Sequence, residues 1–551
     1  MENKNWAKDA KFIFVFGGVM SGIGKGVSAS SIAKIIQARG YSVTAVKIDP
    51  YVNVDAGTMN PTEHGETFVL SSGLETDQDM GNYERFLNVK LPPTNYMTTG
   101  SIYQKVIERE RNLEYKGTCV QIIPHVTNEV IETLEKAAEN NKADFVIIEV
   151  GGTTGDYENM LFTEAARLLK LQRDENSVLY VTITYVPYPE KTGEMKTKPT
   201  QQAIRSLNSA GIQTDIIIAR SSVPIDKKRK EKIALFCNIK EGAVISAPDI
   251  ESIYDVPLNF EKDNLSELIL QKLGIEAKKS DLSDWEEFIR KMRNATEEIK
   301  IGIVGKYFGT GECVLSDAYI SVIEAVKHAA IAEGRKAKIE WLSAEEYEQH
   351  PEKLEKLRDY AGIIVPGGFG ERGIEGKIAT IKFVRENKIP YLGLCYGMQL
   401  LVVEYARNVL GLLDANTVEI DSKTLSPIID IMPDQKNNIT NGNYGATMRL
   451  GDYPCKIKEG TLAFEAYGET MIKERHRHRY EVNPAYIERL EEAGLIFSGV
   501  SPNGTLMEIA ELPKDQHPCM FGSQFHPELT SSPLHPSPMF LQFIKIAKER
   551  N

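Results

Sequence analysis

Six short apolar runs in the first half of the chain, KFIFVFGG, YSVTAVKID, DFVIIEVGG, SVLYVTITYV, TDIIIARS and GAVISAPD, alternate with stretches patterned like helices. Runs that are apolar on both faces suit strands buried inside a sheet, and strands separated by helices require parallel crossovers. The pattern therefore predicts an α/β fold with mainly parallel sheets. At 551 residues the chain exceeds what one core organises, so two large domains are expected. The rhythm breaks at AKKSDLSDWEEFIRKMRNATEE, a charged stretch read as a helical linker, and restarts with KIGIVGKY, AKIEWLS, AGIIVPGGFG and IPYLGLCYGMQ. The reading is a first domain over residues 1–275, a linker over 276–298 and a second domain over 299–551.

A net charge of −12 argues against a general nucleic-acid binder, whose phosphate contacts need a basic face. No apolar stretch is long enough to span a membrane and no signal sequence precedes KFIFVFGG, so a cytoplasmic protein is expected. The six cysteines, Cys119, Cys237, Cys313, Cys395, Cys455 and Cys519, lack the spacing of a disulfide framework or zinc site and are expected to be reduced.

The first strand leads into Gly17-Gly18-Val19-Met20-Ser21-Gly22-Ile23-Gly24-Lys25-Gly26, with a helical pattern after it. Backbone N–H groups and the helix start can hold phosphate there, with Lys25 neutralising charge. The run departs from the usual phosphate-loop signature, because its first Gly is one residue too far away and Gly26 replaces the usual Ser or Thr. Glu149 ends the run DFVIIE at the carboxyl end of a buried strand, where ligands of parallel sheets collect. Together with Asp77 or Asp79 it suits a magnesium ion shared with phosphates. Lys196-Thr197-Lys198-Pro199-Thr200-Gln201 offers ammonium, hydroxyl and amide groups suited to an anion.

In the second half, Cys395 stands between Gly393 and Gly397 at a strand-to-helix junction, where a sharp turn can lift a nucleophile out of a sheet. Gly367 and Gly368 end another strand and can supply oxyanion-stabilising N–H groups. Downstream, Gln524-Phe525-His526-Pro527-Glu528 provides a base, with Glu528 two residues on to orient His526. The segment Glu474-Arg475-His476-Arg477-His478-Arg479-Tyr480-Glu481 reads as a positive wall for a carboxylate substrate.

Taken together, FGGVMSGIGKG, KIDPYVNVDAGTMNPTEHGE, ETDQDMGNYERF, IEVGGTTGD, GEMKTKPTQ, PGGFGERG, GLCYGMQ, RHRHRYEVN and QFHPE closely resemble the CTP synthase family over nearly the whole chain. The resemblance implies an amidoligase domain of dethiobiotin-synthetase-like, phosphate-loop type, fused to a class I glutamine amidotransferase domain. Such an enzyme aminates UTP with ATP and with ammonia from glutamine. It places Gly22, Ile23, Gly24, Lys25, Gly26 and Val27 at ATP phosphates, Arg220, Pro248, Asp249 and Ile250 near adenine, and Asp79 with Glu149 on Mg2+, Asp79 also facing ATP. Ser21, Asp156, Tyr157, Glu158, Lys196, Thr197, Lys198, Pro199, Thr200, Gln201 and Lys232 match positions for UTP, or for CTP as product inhibitor. Cys395, His526 and Glu528 match the triad. Gly368, Tyr396, Gly397, Met398, Gln399, Glu419 and Arg479 match glutamine contacts. Glu371, Arg372, Gly373 and Glu375 match a lid tied to activation by GTP. A homotetramer with neither nucleic-acid nor membrane partners is implied. Gly22, Tyr157 and residues 221–224 depart from the family's usual residues. An amidotransferase such as a cobyrinic acid diamide synthase shares the phosphate loop but has no need of KTKPTQ.

Overall fold

The computed structural model describes residues 5–18, 20–189, 191, 193–305, 316–368, 370–432, 435, 438 and 445–550, so Val19, Cys313 and the end of KIGIVGKY lie outside it. Two compact units emerge: Met1–Ala56 with Asp79–Ile289, and Gly57–Gln78 with Arg290–Asn551.

The first unit is built on a seven-stranded sheet in the order β3-β2-β4-β1-β5-β6-β7, all parallel. Its strands are β1 (Lys11–Gly17), β2 (Val43–Asp49), β3 (Tyr96–Thr98), β4 (Phe145–Val150), β5 (Val178–Tyr185), β6 (Ile216–Ser221) and β7 (Val244–Pro248). All six apolar runs are strands. The order reverses at β1, with β4 on one side and β5 on the other, so a crevice opens beyond its carboxyl end. Helix α1 (Lys25–Gln37) starts there.

The stretch read as a linker contains a packed helix, α3 (Ser283–Asn294), numbered after α2 (Lys198–Ser209). Trp285, Phe288 and Ile289 fall at helical spacing on one face and are buried. Trp285 Nε1 donates to Tyr254 O at 2.9 Å, and its ring lies 5.2 Å from that of Phe86. Its charges cover only the outer face, and residues up to Ile289 belong to the first unit.

The second unit has a nine-stranded sheet in the order β9-β8-β10-β11-β16-β15-β14-β12-β13. Here β8 is Glu298–Gly305, β9 Lys336–Ser343, β10 Gly362–Val365, β11 Tyr391–Leu394, β12 Arg449–Ile457, β13 Met471–His478, β14 Ile496–Val500, β15 Met507–Glu511 and β16 Met520–Ser523. Five strands, β9 to β16 in that order, are parallel, and an antiparallel extension from β16 to β13 completes the sheet. Helices α4 (Ile320–Ala332), α5 (Ile374–Glu386) and α6 (Tyr396–Asn408) pack on it.

Residues 57–78, read within the first domain, instead join the second unit. Their hairpin, Phe68–Val69 with Glu75–Thr76, is pinned by β13: Arg475 donates to Val69 O at 3.0 Å and Arg477 Nε to Glu75 Oε1 at 2.8 Å. Asp452 N donates to Ser71 O at 2.9 Å. Glu66 accepts from the backbone of Ser321, in the first turn of α4, at 3.2 Å.

Candidate active site

In the second unit, the parallel register of β11 with β16 sets Leu394 beside Ser523. The next residues, Cys395 and Gln524, are therefore neighbours, with Cys395 N donating to Ser523 O at 2.6 Å. Cys395 caps α6 with φ 50° and ψ −97°, a strained conformation for a residue with a Cβ. Its flanking glycines are required for a reason other than turn geometry, since neither has positive φ. A Cβ on Gly397 would lie 2.1 Å from Val365 O, and one on Gly393 would lie 2.7 Å from the backbone of Gly397. They let helix, turn and sheet approach more closely than any side chain permits.

His526 Nδ1 pairs with Glu528 Oε1 at 2.7 Å. Burial alone would lower the His526 pKa, but Glu528 and the Cys395 sulfur outweigh it and push it up to about 10. The imidazole thus holds a proton at neutral pH. Gly367 presses against this group, for a Cβ there would lie 2.9 Å from the His526 ring.

Cys395, His526 and Glu528 open on a cavity of about 630 Å3 that Gly367, Gly368, Tyr396, Gln399, Glu419, Arg477, His478, Arg479 and Tyr480 also line. Gly57, Thr58, Pro61, Glu66 and Thr67 form part of its wall, as do Ala318, Tyr319, Val322, Met448 and Leu529. Gly397 and Met398, expected at the substrate, are buried beneath the turn and do not line it. Glu419 Oε1 accepts from Gly370 N at 3.0 Å, and Arg479 Nη1 donates to Gln435 Oε1 at 2.7 Å.

The expected positive wall is only partly cationic. His476 Nδ1 and His478 Nε2 pair at 2.9 Å, and burial holds both pKa values well below 6.5, aided at His476 by His478 and then Arg449, and at His478 by Arg449. Arg475 and Arg477 are engaged by the 57–78 segment, and Arg477 and Arg479 line the cavity. On the expected lid, Arg372 pairs with Glu345 and Glu375 with Arg407 at 2.8 Å, while Gly373 starts α5 with φ 72° and Glu371 is exposed.

In the first unit the loop after β1 carries Gly22 at φ 71° and Gly24 at φ 81°, values suited to glycine. Lys25 Nζ crosses to Gly152 O at 2.8 Å, and burial lowers its pKa. A Cβ on Gly26 would lie 2.0 Å from Asp79 Oδ1, so a larger residue there would collide with that carboxylate. Next to the loop is a cavity of about 270 Å3 lined by Gly22, Gly24, Val27, Ser28, Arg220, Pro248, Asp249 and Ile250, together with Ile253, Val256, Asn259 and Phe260. Ile23 and Gly26 are buried behind it. Arg220 Nη2 is held by Asp249 Oδ1 at 2.9 Å.

Register sets Lys47 of β2 beside Glu149 of β4. Lys47 Nζ lies 2.5 Å from Asp79 Oδ2 and 2.8 Å from Glu149 Oε1. Two carboxylates thus converge on one cationic point, a donor set that fits a hard, oxygen-preferring ion such as Mg2+. Glu149 also accepts from Tyr83, and its pKa is raised by burial and Asp79.

The residues expected at the pyrimidine nucleotide separate into two kinds. Thr197, Thr200 and Gln201 are buried on or beside α2, Gln201 Nε2 donating to Thr197 Oγ1 at 3.2 Å and Thr200 Oγ1 pairing with Thr184 Oγ1 at 3.1 Å. Ser21, Asp156, Tyr157, Glu158, Lys196, Lys198 and Lys232 are exposed, and Pro199, half-buried, sits in the first turn of α2. None of them lines the 270 Å3 cavity.

Sequence reasoning gave no role to Lys47, to residues 57–67 or to Gln524. Lys47 and residues 57–66 carried a local signal in KIDPYVNVDAGTMNPTEHGE, as Gln524 did in QFHPE. The five described cysteines are free thiols, Cys119 exposed and the others buried.

Comparison with known proteins agrees with both halves. The pattern described as CTP synthase N-terminus matches residues 11–275, and that described as glutamine amidotransferase class-I matches residues 314–546. CTP synthase of Pyrococcus abyssi is 50% identical over 540 residues, 98% of each chain. That of Bacillus subtilis is 48% identical over 540 residues, covering 98% of this chain and 99% of the relative. A solved structure of the glutaminase domain of Trypanosoma brucei CTPS with bound acivicin is 36% identical, covers 46% of this chain and 95% of that one, and has a TM-score of 0.42. With two-domain likeness running over 98% of its length, the chain belongs to the CTP synthase family of glutamine-dependent ligases.

Proposed function

We propose that the second unit hydrolyses glutamine at Cys395 and that the first uses the released ammonia to convert UTP to CTP at the expense of ATP. The carrying observation is the Cys395 turn, set beside the His526–Glu528 pair at the edge of the 630 Å3 cavity.

The Cys395 sulfur attacks the glutamine amide carbon, and the carbonyl oxygen gains charge against the N–H groups of the Gly367–Gly368 turn. The proton held on His526 passes to the departing nitrogen, the C–N bond breaks and ammonia leaves. The thioester then takes up water, whose proton His526 accepts; the C–S bond breaks and glutamate departs. Glu528 keeps the imidazole oriented and stabilises its charge. Arg479 and Glu419 hold the charged end of the substrate, and Gln399 and Tyr396 flank its side chain.

In the first unit ATP lies along Gly22 to Val27, with adenine in the 270 Å3 cavity beside Arg220 and Pro248 to Ile250. Asp79 and Glu149 would hold Mg2+, which would offset phosphate charge. Lys25 meets the transferring phosphoryl group. The uracil 4-oxygen takes that group, ammonia adds at C4, and phosphate leaves. The exposed ammonium groups of Lys196, Lys198 and Lys232 and the acidic turn Asp156 to Glu158 receive UTP, or CTP as inhibitor. GTP acts at the Glu371 to Glu375 segment.

A homotetramer is supported by apolar side chains exposed on the first unit, among them Val52, Ile107, Leu113, Ile122 and Met160. No described helix is long and apolar enough to cross a membrane. The test is to follow CTP and glutamate with UTP, ATP, magnesium and either glutamine or ammonium. Cys395→Ala should lose the glutamine reaction and keep the ammonium reaction. If it still used glutamine, Cys395 would not be the nucleophile.

A further inference from the structure

The identities of two buried side-chain amides follow from one backbone carbonyl. Gln399 approaches Tyr480 O at 3.0 Å. A carbonyl oxygen only accepts, so the Gln399 atom facing it is the amide nitrogen. That nitrogen's second hydrogen reaches Gln524 Oε1 at 3.1 Å. With its oxygen occupied, Gln524 presents its own amide nitrogen to the Cys395 sulfur, 3.5 Å away. Both glutamines are almost fully buried, and Gln524 is further fixed by its backbone N–H on Glu508 O at 2.8 Å. The thiol also faces Arg477 O, at 3.9 Å, and the His526 ring.

We propose that Gln524 is a catalytic residue of the glutamine-hydrolysing site, donating a hydrogen bond to the sulfur of Cys395. The inference rests on Cys395 being the nucleophile, as argued above. Sulfur carries negative charge before it attacks and again when the thioester C–S bond breaks. An N–H aimed at it steadies that charge at both points, while His526 on the other side manages the proton. Gln399 is the positioning residue of the pair, because its nitrogen decides which end of Gln524 meets sulfur. The arrangement joins α6 to the end of β16, so the donor is in place before substrate arrives.

The experiment compares Gln524→Glu, Gln524→Met and Cys395→Ala with the parent enzyme, full length. Gln524→Glu keeps the shape and the acceptor for Gln399 but replaces the donor facing sulfur with an acceptor; Gln524→Met removes both. A hydrogen bond to a charged group of this kind corresponds to about a 10- to 100-fold fall in kcat for glutamine hydrolysis. The KM for glutamine should stay within about threefold, since the amide touches sulfur rather than the substrate's charged end. Alkylation of Cys395 by iodoacetamide at neutral pH should slow by a similar factor. CTP formation from ammonium, which uses none of these groups, reports on folding. Parent-like kcat and alkylation in Gln524→Glu overturn the inference, and so does a change confined to KM. Loss of the ammonium reaction together with the glutamine reaction also overturns it, by assigning Gln524 to the fold. If Cys395→Ala hydrolyses glutamine, the nucleophile assignment itself is at fault, an outcome separate from all of these.

Discussion

Gly397→Ala tests whether close approach of helix and sheet holds the nucleophile where it acts. A Cβ at this position would lie 2.1 Å from Val365 O, 3.1 Å from Val365 C and 3.3 Å from Val365 Cβ. Carbon does not approach a carbonyl oxygen more closely than about 3 Å, so the first turn of α6 must retreat by roughly 1 Å. It has little room, because every residue from Tyr396 to Ala406 is buried. Overpacking of this kind costs about 1–3 kcal/mol of stability. Cys395 immediately precedes the displaced turn and moves with it, while His526 is carried by the segment after β16 and stays. A misplacement of roughly 1 Å between reacting groups costs about 100-fold in rate. The expected result is a glutamine kcat/KM lowered about 100-fold, with CTP formation from ammonium within about twofold of the parent. Both are read on one preparation by glutamate release and CTP absorbance, with a thermal melt alongside. A folded variant that hydrolyses glutamine at the parent rate would refute the reasoning, because either the helix need not move or the geometry of Cys395 does not depend on it.

Three further outcomes are expected. Lys25→Ala should reduce CTP formation from either nitrogen source by at least about 100-fold, since the loop's cation meets the transferring phosphoryl group; comparison of the two sources at saturating ATP checks this. CTP should compete with UTP, so that raising UTP relieves inhibition in steady-state rates, whereas inhibition independent of UTP would separate the two triphosphates. Burial holds the His517 pKa down to about 4 from 6.5, with Nε2 facing Val384 O at 3.2 Å and Nδ1 accepting from Cys519 N at 3.2 Å. The unfolded chain binds the extra proton first, so this stabilisation is present above about pH 6.5 and is lost as pH falls toward 4, about 3 kcal/mol in all. Urea midpoints followed by tryptophan fluorescence should show that pH slope in the parent and a shallower one in His517→Gln.

What could be read in advance was chemistry compressed into short segments. The run KFIFVFGG followed by Gly22, Gly24 and Lys25 specifies a strand, two left-handed turns and a helix start without any help from distant residues. GLCYGMQ and QFHPE likewise carry their geometry locally, since Cys395 caps a helix and His526 and Glu528 sit two residues apart. Even there the reason for the glycines was misplaced. Gly393 and Gly397 were read as turn formers, yet both have ordinary φ, and what excludes a side chain is Val365 O and the first turn of α6. A requirement set by a neighbouring strand leaves the same letter in the sequence as one set by the residue's own backbone.

The remainder depended on pairings across the chain that periodicity does not encode. Residues 57–78 read as part of the first domain because the groups that engage them, Arg475 and Arg477, come some four hundred residues later. Those same arginines looked like a free cationic wall for the complementary reason: Glu75 and Val69 were nowhere near them in sequence. In the same way, Lys47 reads as an ordinary strand residue until the register of β2 with β4 sets its ammonium between Asp79 and Glu149. Charge composition shows how many cations a segment carries; only the fold shows which are already answered. This bears directly on the glutamine cavity. Of the three arginines in RHRHRY, two are engaged by a segment from the first half of the chain, and Arg477 and Arg479 line the cavity, Arg479 also donating to Gln435. Hydrolysis turns the neutral amide of glutamine into a second carboxylate, and Glu419 and Glu528 also line this cavity. Glutamate at the same concentration should therefore bind more weakly than glutamine, and product release should follow from the charge that hydrolysis creates.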